Sequence, residues 1–209
     1  MYRSPEGLHV IVHTQVEPFV LEEIIAAEPA IIVIQLRDKD ATLDQIAEYG
    51  TKIKQQVAGS GILFAVNDHV STAIKIGADI VHVGQNDMPA DKVGESLPDD
   101  MQFGVSATTI SEAQFAERHG ASYIGYGPVY QSNVTKPDTI PVGLEGLSVV
   151  SSALGIPVIA IGGINQANAE LVMKNKAGGL AVAGEVIRSS DPRGKASALQ
   201  RIIYQYKKI

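Results

Sequence analysis

Short runs rich in β-branched residues alternate with helix-like segments along the whole chain, and this alternation constrains the fold more than any other feature. The strand-like runs are LHVIV (8–12), AIIVIQLR (30–37), ILFAVN (62–67), DIVHVG (79–84), QFGVS (102–106), SYIGYG (122–127), PVIAIG (157–162) and GLAVAG (179–184). Helical spacing separates several of them. TLDQIAEYGTKIKQQV (42–57) carries apolar residues at 43, 46, 47 and 53, with Gly50 on the same stripe; ISEAQFAERHG (110–120) closes on His and Gly; NQANAELVMKNKAGG (165–179) opens on an Asn cap and closes on Gly. Strand–helix alternation brings successive strands parallel through right-handed crossovers. Eight such units in 209 residues predict a single (β/α)8 TIM barrel over residues 1–209. A doubly wound open sheet is the alternative, but it usually has fewer strands and a nucleotide loop. Neither GxGxxG nor GxxxxGK followed by Ser or Thr occurs here.

Composition narrows the class. Hydrophobic residues make up 45% of the chain, enough for a packed core rather than disorder. The net charge of −6 argues against a general nucleic-acid binder, which is usually basic. With no cysteine, disulfides, thiolate metal sites and cysteine nucleophiles are excluded, and a cytoplasmic location is expected. The first residues, MYRSPEGLHVIVHTQ, lack the apolar core of a signal peptide. No apolar run is long enough to span a membrane.

A barrel gathers chemistry where its strands run out into the following loops. The polar residues at those predicted ends are His13; Gln35, Arg37 and Lys39; Asn67 and Asp68; Gln85 and Asp87; Ser106; Thr135 and Lys136; Gly162 and Gly163; and Gly184. Gln35, Arg37 and Lys39 are spaced by two, so an extended chain turns all three to one face. Arginine offers a planar fork and lysine a point charge, a pair suited to phosphate or diphosphate. Alone, RDKD reads better as solvated charges on a turn; Gln35 on the same face and the other strand-end polar groups reverse that preference.

Asp68 and Asp87 come from neighbouring units. As a pair they suit Mg²⁺, which takes a few carboxylates plus phosphate oxygens; singly, each reads as a helix cap. Gly163 and Gly184 follow the last two strands, where barrels often bind phosphate through backbone N–H groups; tight turns are the plainer reading. Thr135 and Lys136 lie in a long polar loop suited to clamping an anion. The histidines at 9, 13, 69, 82 and 119 show no zinc spacing. His9 and His82, inside strands, read as packing residues, and His13 as a minor candidate.

Taken in order, QLRDK, VNDHVSTAIKIGADIVHVGQND, GVSATTISEAQFAERHGASYIGYGPVY, TKPDTIPVGLEGL and IPVIAIGGINQAN resemble the thiamine-phosphate synthase family across nearly the whole chain. The resemblance implies a (β/α)8 barrel and a Mg²⁺-dependent transferase. Its substrates would be 4-amino-5-hydroxymethyl-2-methylpyrimidine diphosphate and 4-methyl-5-(2-hydroxyethyl)thiazole phosphate, and its products thiamine phosphate and diphosphate. It places the pyrimidine diphosphate on Gln35, Leu36, Arg37, Asp38, Lys39 and Asn67, with Ser106 near the pyrimidine and Lys136 at the diphosphate. It places Mg²⁺ on Asp68 and Asp87, and the thiazole phosphate on Thr135, Gly163, Ala183 and Gly184. Arg37, Lys39 and Lys136 would be the catalytic cations. No nucleic-acid or membrane partner is expected, and a homo-oligomer is left open.

The chain departs from the family pattern in several places. It begins its mouth with VIVHTQ, has Thr108 where histidine is common, and carries a strand-6 loop about one residue longer than usual that lacks its first threonine. Gly184 stands where a serine often helps hold the thiazole phosphate. The alternatives are a thiazole tautomerase of the same superfamily, whose catalytic histidine would fall at Pro128, and a non-catalytic phosphate-ligand-binding paralog.

Overall fold

The computed structural model describes residues 3–131 and 139–207. Among these, eight strands close into one parallel barrel in chain order. They are β1 (Leu8–Val12), β2 (Val33–Leu36), β3 (Leu63–Asn67), β4 (Ile80–Val83), β5 (Gln102–Ala107), β6 (Tyr123–Tyr126), β7 (Val158–Ile161) and β8 (Gly179–Val182). Helices α1 (Pro18–Ile25), α2 (Leu43–Gln56), α3 (Val70–Lys75), α4 (Ala90–Ser96), α5 (Ile110–Arg118), α6 (Gly143–Ala153), α7 (Ala169–Lys174) and α8 (Gly184–Ile187) follow the strands in turn, and α9 (Pro192–Lys207) ends the described chain. Closure leaves no free edge, since β8 pairs with β1 through Val182 and Val10.

The pleat divides the strand residues between two cores. One set turns inward: Val33, Leu63, Ala65, Ile80, Tyr123, Ile159 and Ala181 form a cluster inside the barrel. The alternate set, including Val10, Ile34, Leu36, Phe64, Val66, Val81 and Ile124, packs in the larger cluster shared with the helices. Each fully buried aliphatic or aromatic side chain there stabilises the fold by roughly 1.5–3 kcal/mol over leaving it exposed. Tyr123, 1% exposed, fills the inner core because Gly104 faces it. A Cβ at Gly104 would stand 2.2 Å from the Tyr123 ring.

Local chemistry sets the helix starts. Thr42 accepts a hydrogen bond from the Gln45 N–H (3.3 Å) while Gln45 accepts from the Thr42 N–H (2.8 Å); Thr109 and Glu112 repeat this box ahead of α5. In α2, Ile46, Gly50 and Ile53 are buried, but Leu43, expected on the same stripe, is 56% exposed. The helix expected over 165–179 is shorter. Asn165 accepts from the N–H groups of Ala167 and Asn168, and this braced turn delays the helix to Ala169. Strand β2 likewise begins at Val33, because its ladder to β1 starts with the pairing of Val33 and His9.

Candidate active site at the C-terminal mouth of the barrel

Parity carries the site. Gln35 sits in β2 opposite Ile11 and Ala65, on the inward set. It is 3% exposed, and its side-chain amide donates to the Asn67 side-chain oxygen. Two of the predicted strand-end groups are thus joined at the floor of the mouth. Two residues on, Arg37 donates its backbone N–H to Val12 (2.9 Å), which continues the strand pairing. Its half-buried side chain has no carboxylate within salt-bridge distance among the described residues. Lys39 is exposed.

Leu36 and Asp38, of opposite parity, do not join them. Leu36 packs outward, its Cδ2 near Gly50 of α2. Asp38 accepts from the Thr14 hydroxyl (2.6 Å) and the Thr14 N–H (3.1 Å). Burial works against its ionisation, but these bonds and one from the Asp40 N–H outweigh it and hold the carboxylate below its usual range. Asp38 fastens the β2 loop to the β1 loop. His13 accepts from the Gln15 N–H (3.2 Å), bracing its own turn.

Asp68 and Asp87 are near enough that each carboxyl feels the other. Burial raises the Asp68 pKa, the Asp87 charge raises it further, and Arg37 and Lys39 oppose both. The two carboxylates and two cations therefore share one electrostatic neighbourhood. The helix-cap reading of the aspartates fails. Helices α3 and α4 begin at His69 and Pro89 with no side-chain cap. Asp68 instead takes a left-handed backbone (φ 66°), pinned by its N–H to His82 O (2.8 Å). Asp87 is held by the Gly84 N–H (2.7 Å). Two hard oxygen donors side by side, neither consumed by a helix, fit Mg²⁺ that draws its remaining ligands from water and phosphate. Among the described residues there is no larger cluster of metal-ligating side chains.

His82 is more than a packing residue. Its Nε2 lies 2.8 Å from Ser106 Oγ and its Nδ1 2.8 Å from Tyr123 OH. Burial, then the His9 and Arg37 charges, lower its pKa to about 3, so the ring is neutral. Burial also raises the Tyr123 pKa, and the phenol stays protonated. The Ser106 carbonyl accepts from the Gln85 side chain (2.6 Å). His82 pairs in register with Asn67, a level that only the folded barrel reveals.

On the far side of the mouth, β7 and β8 pair through Ile161 and Ala181, so Gly163 and Ala183 leave the sheet at the same level. Gly163 has φ 66°. A Cβ there would stand 2.6 Å from Gln131 O and 2.7 Å from Tyr130 Cβ, so the strand-6 loop presses on it and only glycine fits. Asn168 donates to Gly163 O (2.9 Å) and fixes the turn. The N–H groups of Gly163, Ala183 and Gly184 reach no acceptor among the described residues. Thr135 and Lys136 lie outside the described residues.

The chain is similar to known proteins over most of its length. The family model for thiamine monophosphate synthase matches residues 8–186. A thiamine-phosphate synthase of Chloroflexus aurantiacus is 41% identical over 172 residues, covering 82% of this chain and 79% of that one. Another, of Methanocella arvoryzae, is 43% identical over 176 residues, covering 84% and 82%. The solved structure of a thiamine phosphate pyrophosphorylase from Pyrococcus furiosus superposes with a TM-score of 0.87 at 34% identity, covering 97% and 98% of the two chains.

Proposed function

The chain belongs to the thiamine monophosphate synthase family, and from that membership and the geometry of the mouth we infer that it joins a pyrimidine methyl diphosphate to a thiazole phosphate, giving thiamine phosphate and diphosphate. One relationship carries the assignment of the site: Gln35 and Asn67 are bonded to each other, and the charged groups that follow them, Arg37 and Lys39 on one strand end and Asp68 on the other, act on each other, with Asp87 acting on Asp68 as well. Cations beside paired carboxylates are what a metal-bridged diphosphate needs.

In this reading Gln35 and Asn67, already bonded to each other, form the floor under the pyrimidine, with the Ser106 hydroxyl beside it. Arg37, Lys39 and Lys136 hold the diphosphate. Asp68 and Asp87 hold Mg²⁺, which when bound neutralises charge on the diphosphate oxygens. The C–O bond between the pyrimidine methylene and the diphosphate breaks, and its electron pair leaves with the diphosphate. The thiazole nitrogen lone pair then forms the new C–N bond. No proton need move at the reacting carbon, so positioning and charge stabilisation supply the catalysis. Thr135, Gly163, Ala183 and Gly184 receive the thiazole phosphate. Leu36 packs outward, and Asp38 acts by tying the β2 loop to Thr14 of the β1 loop. A cytoplasmic location suits a chain without cysteine.

The test is direct. Protein incubated with both substrates and Mg²⁺ forms thiamine phosphate and one diphosphate per turnover. A folded protein that binds the pyrimidine diphosphate yet makes no product refutes the reading and leaves a ligand-binding role.

A further inference from the structure

We propose that Arg188 is a specificity-determining residue for the second substrate, its guanidinium reading the phosphate of the thiazole in the place vacated by a side chain at Gly184. The proposal rests on the reading above for the identity of that substrate.

Arg188 lies four residues after Gly184, one helical turn on. Side chains on a helix lean back toward its start, so a residue four positions later covers the residue before it. The distances show this. A Cβ built on Gly184 would lie 3.6 Å from Arg188 Nε, 3.7 Å from Cδ and 3.8 Å from Cζ. The arginine therefore covers the surface that a larger residue at 184 would occupy. A bare Cβ would fit at van der Waals distance, but a hydroxyl beyond it would compete with the guanidinium for the same space.

The surroundings favour an anionic ligand. Arg188 is exposed and has no carboxylate within salt-bridge distance among the described residues. The two nearest acids in sequence are occupied elsewhere: Glu185 by Lys195 (3.2 Å) and the Gln166 N–H (3.1 Å), and Asp191 by the Gly194 N–H (2.8 Å). Around the same strand ends, the N–H groups of Gly163, Ala183 and Gly184 reach no acceptor among the described residues. The Arg188 guanidinium lies beside Gly184, next in chain to Ala183, and both residues keep an N–H without an acceptor among the described residues. A phosphate monoester, with three oxygens and about two negative charges, matches that set. Arginine also carries its charge at every working pH.

Two measurements test it. Steady-state kinetics on wild type, Arg188→Gln and Arg188→Lys, with saturating pyrimidine diphosphate and Mg²⁺, read the KM for thiazole phosphate. Loss of one charge-assisted contact is expected to raise that KM about 10- to 100-fold in Arg188→Gln. Arg188→Lys should fall between, and the KM for pyrimidine diphosphate should stay put. Preference for the thiazole phosphate over its dephosphorylated alcohol should drop with it. A thiazole phosphate KM in Arg188→Gln within twofold of wild type overturns the proposal while leaving the synthase reading intact. Calorimetric titration of inorganic phosphate supplies a readout that needs no turnover. Wild type should bind phosphate more tightly than Arg188→Gln. Equal binding, or none to either protein, overturns the proposal even in a chain that makes no thiamine phosphate.

Discussion

His82 and Ser106 meet across strands β4 and β5 with Nε2 and Oγ 2.8 Å apart, and the same imidazole is held from behind by Tyr123. A neutral imidazole has one donor and one acceptor nitrogen, so both hydroxyls are fixed in direction by one ring. His82 is a positioning residue for Ser106. His82→Phe keeps the ring volume and releases Ser106. Turnover should fall about 10- to 100-fold, the range of coupling between contacting polar groups. Ser106→Ala added to His82→Phe should cost little more, because the hydroxyl is already misplaced. Independent, multiplicative losses in the double variant would contradict the relay. A thermal melt of each variant separates this from simple unfolding.

Arg37 gives a sharper test of charge. It is half-buried, with no carboxylate within salt-bridge distance among the described residues, so its charge contributes little to the fold. Arg37→Ala should shift stability by no more than about 0.5 kcal/mol, as for other surface-type changes. Turnover should nevertheless drop about 10²- to 10³-fold, the usual loss when one preorganised donor to a leaving charge is removed. Rate and melting temperature measured on the same preparation check both halves. An active Arg37→Ala variant would take the residue out of the site.

The barrel was legible because parity and period are simple. All eight strand runs appear, since β-branched residues in short apolar stretches have few other places to go. Boundaries moved where something non-local decided. Residues 30–32 are as apolar as β2 itself, and Ile32 still donates to Leu8 O (2.9 Å) and accepts from the Leu63 N–H (2.8 Å), so nothing in the run announces that the paired register starts at Val33. Among the candidate site residues, the spacing of Gln35, Arg37 and Lys39 predicted a shared face, and only the other strand-end polar groups turned that face into a candidate site. Leu36 and Asp38 came with the family motif and face elsewhere, as alternation dictates. The capping reading of Asp68 and Asp87 was sound local chemistry, overruled by a left-handed turn at Asp68 that the β4 carbonyl imposes. His82 was missed because a histidine in an apolar strand looks the same whether it packs or positions. Only the partners on β5 and β6 distinguish the two.

Asp87 separates metal binding from turn chemistry. Its carboxylate accepts from the Gly84 N–H (2.7 Å), a bond an asparagine oxygen can replace. Asp87→Asn should therefore fold normally. It removes one of two anionic oxygen ligands, so activity should fall and recover in part at high Mg²⁺. Titrating Mg²⁺ with and without pyrimidine diphosphate should show each ligand tightening the other by the same factor in wild type, and less so in the variant. Identical Mg²⁺ dependence in both proteins would remove Asp87 as a ligand.

His9 sets an acid limit on stability. It is 0% exposed, its Nε2 lies 2.6 Å from the Pro5 carbonyl, and its ring meets Tyr123 edge-on at 5.1 Å. Burial, against the Pro5 bond, lowers its pKa from 6.5 to about 4. Between those two values the unfolded chain binds a proton that the folded chain refuses. Stability therefore rises with pH across this window and is lost as pH falls from 6.5 toward 4. The shift corresponds to about 3 kcal/mol for this one group. His9→Phe keeps an aromatic ring against Tyr123 but cannot take up the proton. Denaturant midpoints measured at pH 7.0 and 4.5 should differ less in His9→Phe than in wild type. Carboxylates contribute equally to both proteins and cancel in that comparison. The same pH sensitivity in the two would show that His9 is not the group resisting the proton.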